Sequence, residues 1–280
     1  MLNPNKKIEK GTDPFPHLII RNFFKEEFYN ELENFFPKKE EFKKQDNIVN
    51  RMHYDTTFGD DLYQNILNKS KAYKELHDYI YGKEFVKTFL DFFDQDINYE
   101  LENNFLNTNV KNLDVDNRPY EVGKVLNQDN LKKGDKSFLF PRLDIGLGEE
   151  GYGVKTGGKG IHVDNPQRLI SILFYVGGFS KISGGEHRLW KKIDDDIEVA
   201  KEINPDSNLL IASLQNNISF HDVNPIKEIS GTRNAFYIAI SCNNPIWKKV
   251  KVNDFNLKHN RNRCKLSFIG KIKKRLFSYI

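Results

Sequence analysis

The feature that most constrains this chain is a change in sequence texture near residue 138. From there to about residue 241, short segments rich in β-branched and aromatic residues alternate with Gly, Asn, Asp and Pro. Such segments fit β-strands, and the residues between them favour turns. Seven segments fit this description: 138–147, 160–164, 168–176, 186–191, 208–214, 218–223 and 233–241. So many short strands predict a β-sandwich or a jelly roll.

The N-terminal third has a helical periodicity instead. Apolar residues at helical spacing predict one helix that follows Asn22 and ends at Pro37, a second over 60–80 and a third over 83–93. Gly82 stands where a C-terminal glycine cap of the second helix belongs. We expect these helices to pack on one outer face of the β core, with their aromatic residues directed towards it.

The chain therefore predicts a single α+β domain, although its length of 280 residues allows one large domain or two small ones. We expect residues 1–137 to form a helical N-terminal elaboration and residues 138–245 to form the β core. Residues 246–280 are expected to form a basic tail. The role of residues 52–137 does not follow from their sequence.

The tail carries most of the positive charge. Residues 248–280 contain eleven basic residues and one acidic residue, a charge of +10, so the remainder carries −6 of the net +4. Apolar residues at every fourth position of 268–280 predict a short basic amphipathic helix. Such a helix suits contact with an anionic membrane surface or with phosphates. Docking on the acidic remainder of the chain, or fraying, is the alternative.

The cellular compartment is predicted from cysteine usage and the N-terminus. The chain has only two cysteines, Cys242 and Cys264, without a CxxC spacing, which favours a reducing compartment. The N-terminus lacks the apolar stretch of a signal peptide, and no segment has the roughly 18 apolar residues of a membrane span. We therefore expect a cytoplasmic protein.

Two histidines and one aspartate form the main candidate metal site. His162 and Asp164 lie two residues apart in GIHVDNP, so a strand would direct both side chains to one face. His221 opens FHDVNP on a later predicted strand, which a jelly roll can fold beside the first. Two imidazoles and one carboxylate suit non-haem Fe(II) and leave coordination positions open. Zn²⁺ is the chemical alternative, and an ordinary surface pair is the structural one.

Three further residues fit a pocket beside these ligands. Arg233 begins the last predicted strand, where a buried guanidinium suits a two-pronged grip on a carboxylate. Tyr175 and Ser171, in RLISILFYV, offer hydroxyl donors to the same ligand. With these residues the sequence resembles the Fe(II)/2-oxoglutarate-dependent dioxygenase superfamily, and within it the prolyl 4-hydroxylase-like branch.

The resemblance extends over several motifs in order. GIHVDNP with RLISILFYV, then ISGGEHRLW, then NNISFHDVNP and GTR are similar to successive segments of that branch, and the opening PFPHLIIRNFFKEEFYNELENFFP is similar to its helical lead-in. Residues 52–136 show little resemblance. The resemblance implies a double-stranded β-helix, cupin-like core. In one respect the chain departs from the pattern: extra residues in IKEIS separate His221 from Arg233, and we expect them to lengthen a turn.

The resemblance also implies a reaction. Fe(II) would be held by His162, Asp164 and His221, and 2-oxoglutarate would bind it through its keto acid end. Arg233 and Tyr175 would take the far carboxylate. With O₂, the cosubstrate would be decarboxylated to succinate and CO₂ while a substrate is hydroxylated, and ascorbate is the expected reductant. The substrate would be a protein side chain of the prolyl type, an amino acid or another small metabolite.

Other residues near the motifs have weaker claims. His187, in GGEHRLW, is the chief competitor as a metal ligand and otherwise a strand residue that faces the substrate. Arg142 and Asp144 either line the pocket or form a solvated ion pair. The glycine-rich segment 146–160 lacks the strand, Gly-Lys-Ser/Thr and helix order of a phosphate loop. It predicts either a mobile loop over the iron site or a plain surface connection.

Two rival functions remain open at this stage. A nucleic-acid oxygenase would use the basic tail to reach phosphates. The nucleic-acid demethylase branch carries a second arginine six positions after the first, and here that position is Ala239, so nucleic acid is the less favoured partner. The other rival is a non-catalytic jelly roll that binds a metal or ligand.

Overall fold

The computed structural model describes residues 1–42, 53–116, 136–152, 160–193 and 196–248. Most of the basic tail, including the amphipathic segment 268–280, lies outside these residues, as does the part of the glycine-rich segment from 153 to 159. What the sequence predicts for those parts stays a prediction.

The described residues form eleven β-strands and five α-helices. The helices are α1 (Glu26–Asn34), α2 (Asp61–Lys69), α3 (Lys71–Ile80), α4 (Lys83–Phe92) and α5 (Asp94–Glu102). The first strands are β1 (Lys7–Gly11), β2 (His17–Arg21), β3 (His53–Thr57) and β4 (Asp114–Val115). The remaining strands are β5 (Phe138–Gly148), β6 (Arg168–Ser183), β7 (His187–Ile193), β8 (Asp196–Ile203), β9 (Leu209–Leu214), β10 (His221–Val223) and β11 (Glu228–Cys242).

The strands form a large sheet and a small sheet. The large sheet has the order β1-β2-β9-β6-β11-β5-β3, with β4 added in parallel beside β5, and the small sheet has the order β10-β7-β8. A single antiparallel bridge between His162 and His221 adds the chain near residue 162 to the free edge of β10. That segment was predicted as a strand over 160–164, but the structure makes only this bridge there.

The two sheets face each other across a shared hydrophobic cluster. Leu173, Leu209 and Ile211 of the large sheet pack there with Leu189 and Ile203 of the small sheet. From β6 onwards the chain passes alternately between the sheets, because β6, β9 and β11 belong to the large sheet and β7, β8 and β10 to the small one. This winding is that of a double-stranded β-helix, and it confirms the predicted α+β class with a jelly-roll core.

The alternation of side chains along the central strands separates two environments. On β6, Leu173 and Tyr175 belong to the cluster between the sheets, whereas Phe174 belongs to a second cluster on the opposite face of the sheet. On β11, Ala235 and Phe236 divide in the same way. Since side chains of a strand alternate with a period of two, the odd-numbered positions of both strands face the interior of the jelly roll.

The helices cover the outer face of the large sheet. Leu76 and Ile80 of α3 and Phe85 of α4 belong to the same cluster as Phe174 and Phe236, and all five are nearly inaccessible to solvent. Each fully buried side chain of this size contributes about 1.5–3 kcal/mol relative to an exposed one. The helical N-terminal part therefore supplies the second half of the hydrophobic core.

Two predicted details of the helical part are wrong, and two further features were not predicted. The helix predicted over 60–80 is divided at Ser70, whose hydroxyl accepts a hydrogen bond from the Tyr73 amide at 3.4 Å and so begins a new helix. Gly82 does not end α3 in a left-handed conformation but precedes α4 with φ −78°. The sequence also missed α5, and it missed that β2 and β3 extend the large sheet by pairing with β9 and β5.

No helix within the described ranges is both long and apolar enough to cross a membrane.

Candidate metal centre and adjoining pocket

The candidate ligands His162, Asp164 and His221 converge at the rim of the jelly roll. One side-chain donor atom from each lies within 4.8 Å of the other two. Nε2 of His162 is 3.8 Å from Oδ1 of Asp164, and the two imidazole centroids are 4.5 Å apart. The bridge between the backbones of His162 and His221 brings the two imidazoles together, so the structure unites all three residues that the sequence singled out.

Backbone hydrogen bonds orient both imidazoles. Nδ1 of His162 donates to the Gly160 carbonyl at 2.6 Å, and Nδ1 of His221 donates to the Ser219 carbonyl at 2.9 Å. A carbonyl oxygen can only accept, so Nδ1 carries a proton in both rings, and in the neutral form of each ring Nε2 keeps its lone pair. This is the tautomer that binds a metal through Nε2, with a backbone partner holding the other nitrogen.

Asp164 has one carboxylate oxygen engaged and one directed at the histidines. Its Oδ2 accepts a hydrogen bond from the Ser171 hydroxyl and lies 3.9 Å from Nη1 of Arg168. Burial raises the pKa of this carboxyl, but the charges of Arg168 and His221 and the Ser171 hydrogen bond together lower it well below its usual range. Asp164 is therefore ionised and presents Oδ1 as a donor.

This donor set fits a divalent metal. Two neutral imidazole nitrogens and one carboxylate oxygen are borderline ligands that suit Fe(II), and they also suit Zn²⁺. Three protein ligands leave coordination positions for small molecules, unlike the four ligands of a closed structural zinc site. The residues present are thus compatible with the predicted non-haem iron centre.

Arg233 is buried, and no carboxylate of the described residues pairs with it. The side chain is inaccessible to solvent, and none of its ion-pair distances to carboxylates of the described chain falls within 4.0 Å. Nη1 donates to the Gly185 carbonyl at 3.1 Å and Nη2 donates to the Tyr237 hydroxyl at 3.4 Å, whereas Nε has no partner. A buried charge that is neither paired nor fully hydrogen-bonded is costly. It is the arrangement expected where an anionic ligand completes the site.

Aromatic rings surround the guanidinium. Its carbon lies 4.6 Å from the ring centroid of Tyr152 and 5.6 Å from that of Tyr175, distances that allow cation–π attraction. The hydroxyl of Tyr175 is buried without a hydrogen-bond partner, and burial raises its pKa to about 12, so it is protonated. Tyr175 and Arg233 therefore offer unused donors to the same space.

Ser171 has a different immediate partner from the one predicted. Its hydroxyl was expected to reach the same ligand as Arg233, but here it donates to the Asp164 carboxylate. It therefore orients a candidate metal ligand, and its contact with a cosubstrate stays a prediction.

His187 lies beside the three candidate ligands but outside their group. Its ring centroid is 5.7 Å from that of His221, and it does not belong to the set of atoms within 4.8 Å. The ring is buried, and burial, followed by the neighbouring His221 and Arg233, lowers its pKa well below the usual value, so it is neutral. The structure thus leaves this competitor adjacent to the metal centre.

Arg142 and Asp144 form an ion pair, with Nε 2.9 Å from Oδ1. The sequence allowed these two residues either to line the pocket or to form an ion pair, and the structure shows the ion pair. Three residues that contact Asp164 or Arg233 were not predicted from the sequence: Arg168, Tyr152 and Tyr237. Tyr237 could have been found, because it lies four residues after Arg233 on the same face of β11, but the others depend on contacts between distant segments.

The sequence predicted a longer turn before Arg233. In the structure the inserted residues extend a strand instead. β11 already begins at Glu228, and residues 228–230 pair with the end of β6. Register shifts on both sides of Gly231, which has φ +108°, and again after Asn234 absorb the extra length before the regular pairing resumes at Ala235. The bulge restores the alternation that directs Arg233 into the interior.

Neither a family model nor a curated protein matches this sequence. Among solved structures, a prolyl 4-hydroxylase from Phytophthora capsici is similar at 14% identity and a TM-score of 0.47, over 93% of this chain and 68% of that one. A prolyl hydroxylase from Trichoplax adhaerens, solved with a hypoxia inducible factor peptide fragment, is 14% identical with a TM-score of 0.42, over 80% and 83% of the two chains.

A viral collagen prolyl hydroxylase from Paramecium Bursaria Chlorella virus-1 is also 14% identical, with a TM-score of 0.40, over 80% of this chain and 94% of that one. These three solved structures are all described as prolyl hydroxylases.

Proposed function

We propose that this protein is an Fe(II)- and 2-oxoglutarate-dependent dioxygenase. The observation that carries the proposal is a combination of groups around His187: two imidazole nitrogens and a carboxylate oxygen converge, and the buried guanidinium of Arg233, which acts on the same ring, has no carboxylate partner among the described residues. His162, Asp164 and His221 would hold the iron. Bound Fe(II) would supply the redox chemistry that couples oxygen activation to the oxidative decarboxylation of 2-oxoglutarate to succinate and CO₂.

The charges of the pocket match a diacid. One end of 2-oxoglutarate is a keto acid that suits the metal, and the other is a carboxylate that suits a guanidinium. Arg233 would bind the far carboxylate, and Tyr175 would donate its buried hydroxyl to the same group. Binding would then pair the charge that is unpaired in the ligand-free protein, so the desolvation cost already present in the fold favours this ligand.

The chain also prepares the site before any ligand binds. The backbone carbonyls of Gly160 and Ser219 hold the two imidazoles in one tautomer, and Ser171 holds the Asp164 carboxylate. Tyr152 and Tyr237 enclose the guanidinium and exclude water from it. Because these side chains are already in position, they would not have to reorient during the reaction.

The hydroxylated substrate is proposed to be a protein side chain of the prolyl type, an amino acid or another small metabolite. We expect selectivity to reside in residues 52–137 and in the segment 146–160, which precede the candidate ligands in the sequence. Ascorbate is proposed as a reductant that keeps the iron in the Fe(II) state. Nucleic acid remains the less favoured substrate because Ala239 stands where that branch has an arginine.

The test is succinate formation by the purified protein with 2-oxoglutarate and O₂, with and without Fe(II). We expect turnover that requires Fe(II) and disappears in the double variant His162→Ala with Asp164→Ala. Candidate peptides, amino acids and metabolites would be screened by mass spectrometry for products that gain one oxygen atom. Unchanged succinate formation in the double variant would overturn the proposal, and metal binding without any decarboxylation would favour the non-catalytic jelly roll.

A further inference from the structure

His187 is a buried polar side chain that the proposed function does not use. Only 8% of the residue is exposed, and its Nδ1 has no hydrogen-bond partner. No hydrogen bond to Nε2 is found either within the part of the chain that the structure describes. The buried Nδ1 has lost its hydrogen bond to water without replacing it, which costs about 1–3 kcal/mol.

The unpartnered atoms of the described chain are concentrated around this ring. Seven buried side-chain atoms have no hydrogen-bond partner, and three of them belong to His187, Tyr175 and Arg233. Arg233 donates to the carbonyl of Gly185, which lies two residues before His187 at the start of β7. Three unused polar groups that face one small region indicate a ligand rather than three separate packing faults.

His187 is also close to the candidate metal ligands. Its ring centroid lies 5.7 Å from that of His221, and the charges of both His221 and Arg233 act on it. A molecule that reaches from the metal to the guanidinium therefore passes within contact distance of this ring. An imidazole carries at least one N–H donor in either protonation state.

We propose that His187 is a cosubstrate-binding residue, whose ring N–H donates a hydrogen bond to the 2-oxo acid where it extends from the metal towards Arg233. This inference rests on the proposed function and deepens it. Three side chains would then recognise the diacid, because His187 would contribute a hydrogen bond beside those of Arg233 and Tyr175. A metal-ligand role is excluded by position, since His187 is not among the donor atoms within 4.8 Å of one another.

The test measures binding rather than turnover. The protein is loaded with Zn²⁺, and 2-oxoglutarate is titrated by calorimetry into the unsubstituted chain, His187→Leu, His187→Asn and His187→Gln. Leucine keeps a similar volume without polar atoms, so we expect its Kd to rise about 10- to 100-fold, the effect of losing a hydrogen bond to a charged group. Asparagine or glutamine, depending on which nitrogen donates, is expected to restore most of the affinity.

His17→Leu is the matched control. His17 is also buried, and its Nε2 also lacks a partner, but it lies on β2, two strands away from Ser171 in the large sheet. We expect the control to bind 2-oxoglutarate with the affinity of the unsubstituted chain. Undiminished binding by His187→Leu would overturn the role of His187 alone. Absence of binding by the unsubstituted chain would overturn the proposed function, and this inference with it.

Two further measurements guard against a misfolded variant or a different role. Zn²⁺ affinity of His187→Leu should equal that of the unsubstituted chain, and a loss of metal binding would contradict the assignment by making His187 a ligand. In the unsubstituted chain, the imidazole nitrogen resonances of His187 should shift when 2-oxoglutarate is added to the Zn²⁺-loaded protein. Resonances that do not move would overturn the inference without any substitution.

Discussion

At the scale of single residues, Asp164 shows how a buried carboxylate is limited to one available oxygen. Ser171 and Arg168 both lie against Oδ2, so only Oδ1 faces His162 and His221. Partners of this kind, one step behind a metal ligand, fix its orientation and typically account for 10- to 100-fold in metal affinity. The Ser171 hydroxyl is therefore expected to raise metal affinity by fixing the orientation of the Asp164 carboxylate.

We predict that Ser171→Ala weakens metal binding about 10- to 100-fold without unfolding the protein. The freed Asp164 carboxylate would adopt several orientations, and the metal would have to select one. The measurement is a competitive titration with Zn²⁺ or Fe(II). Ser213→Ala is the control, because Ser213 is buried directly opposite Ser171 on the neighbouring strand β9. Equal metal affinity in the two variants would contradict the role assigned to Ser171.

Arg233 illustrates a conflict between stability and ligand binding. Its guanidinium is fully buried among aromatic rings and has two hydrogen bonds, neither of them to a charged group. Replacing buried charges by apolar residues of similar volume is often neutral or stabilising by about 1–4 kcal/mol. Such strain at a binding site is common, because ligand affinity depends on groups that the fold alone does not satisfy.

We predict that Arg233→Met raises the free energy of unfolding of the ligand-free protein by about 1–3 kcal/mol and abolishes the stabilisation that 2-oxoglutarate provides. Urea unfolding with and without 2-oxoglutarate measures both effects. Arg233→Lys, which keeps a buried charge, should not show the gain. A methionine variant that is less stable than the unsubstituted chain would show that the guanidinium stabilises the fold.

At the scale of elements, α5 is joined to the segment before β10 by a buried carboxylate. Nδ2 of Asn216 donates to both oxygens of Glu100 at 2.8 Å. The backbone of Asn216 bonds in turn to the Ser219 hydroxyl, and Ser219 holds His221 through its carbonyl. Burial, offset in part by Asn216, raises the pKa of Glu100 to about 7 from 4.5. Helix α5 thus supports the segment that presents a candidate ligand.

We predict that Glu100 makes the fold less stable as pH rises. Its contribution is fully present below about pH 4.5, where folded and unfolded states are both protonated, and is lost as pH rises through about 7. The rise in the pKa of Glu100 from 4.5 to about 7 corresponds to a decrease of about 3 kcal/mol in the free energy of unfolding. Unfolding measured at several pH values should show a smaller decline in Glu100→Gln. Glu102→Gln, exposed on the same helix, should decline like the unsubstituted chain.

The elements that could be predicted from sequence are those with a local signal. The strands that became β5, β6, β7, β9 and β11 were recognisable because their buried side chains recur with a fixed period. β8 was missed because Glu198, Lys201 and Glu202 make it look like a charged loop, although only its inner face needs to be apolar. The division at Ser70 was missed because apolar periodicity continues across it.

The candidate site was predictable for the same reason and to the same extent. The HxD spacing predicted His162 and Asp164 as candidate ligands, and the guanidinium of Arg233 and the hydroxyl of Tyr175 were predicted as donors on two strands. Partners contributed by other segments, such as Arg168 and Tyr152, depend on how the loops meet and leave no periodic signal. His17 shows the limit of local pattern: its Nδ1 donates to Phe15 two residues earlier, as His162 and His221 do to their own neighbours, yet it lies apart from the candidate ligands.

At the scale of the whole molecule, the N-terminal part and the jelly roll share one core. β2 pairs with β9 and β3 with β5, so both sides of the large sheet are continued by earlier strands. α3 and α4 cover its outer face, where Phe174 and Phe236 stack with centroids 5.7 Å apart. We therefore propose that residues 1–137 and 138–245 are parts of one folding unit, as the sequence indicated.

We predict that a chain limited to residues 138–248 does not fold on its own. It would expose the apolar outer face of the large sheet and the backbone of β9 and β5, which favours aggregation. Size-exclusion chromatography and thermal unfolding would measure this, with residues 1–248 as the control that keeps every described contact. A monomeric 138–248 chain with a cooperative transition would show instead that the jelly roll is an independent domain.

The carbonyls that hold His162 and His221 have a consequence for which metal occupies the centre. Because both rings are already aimed by Gly160 and Ser219, ordering them belongs to the folding of the polypeptide and not to metal uptake. A metal site whose ligands are already oriented in the metal-free protein does little to discriminate between ions that accept the same three donors. Occupancy in a cell would then follow the local supply of Fe(II) and Zn²⁺, so the same molecule would be active or silent according to the metals around it.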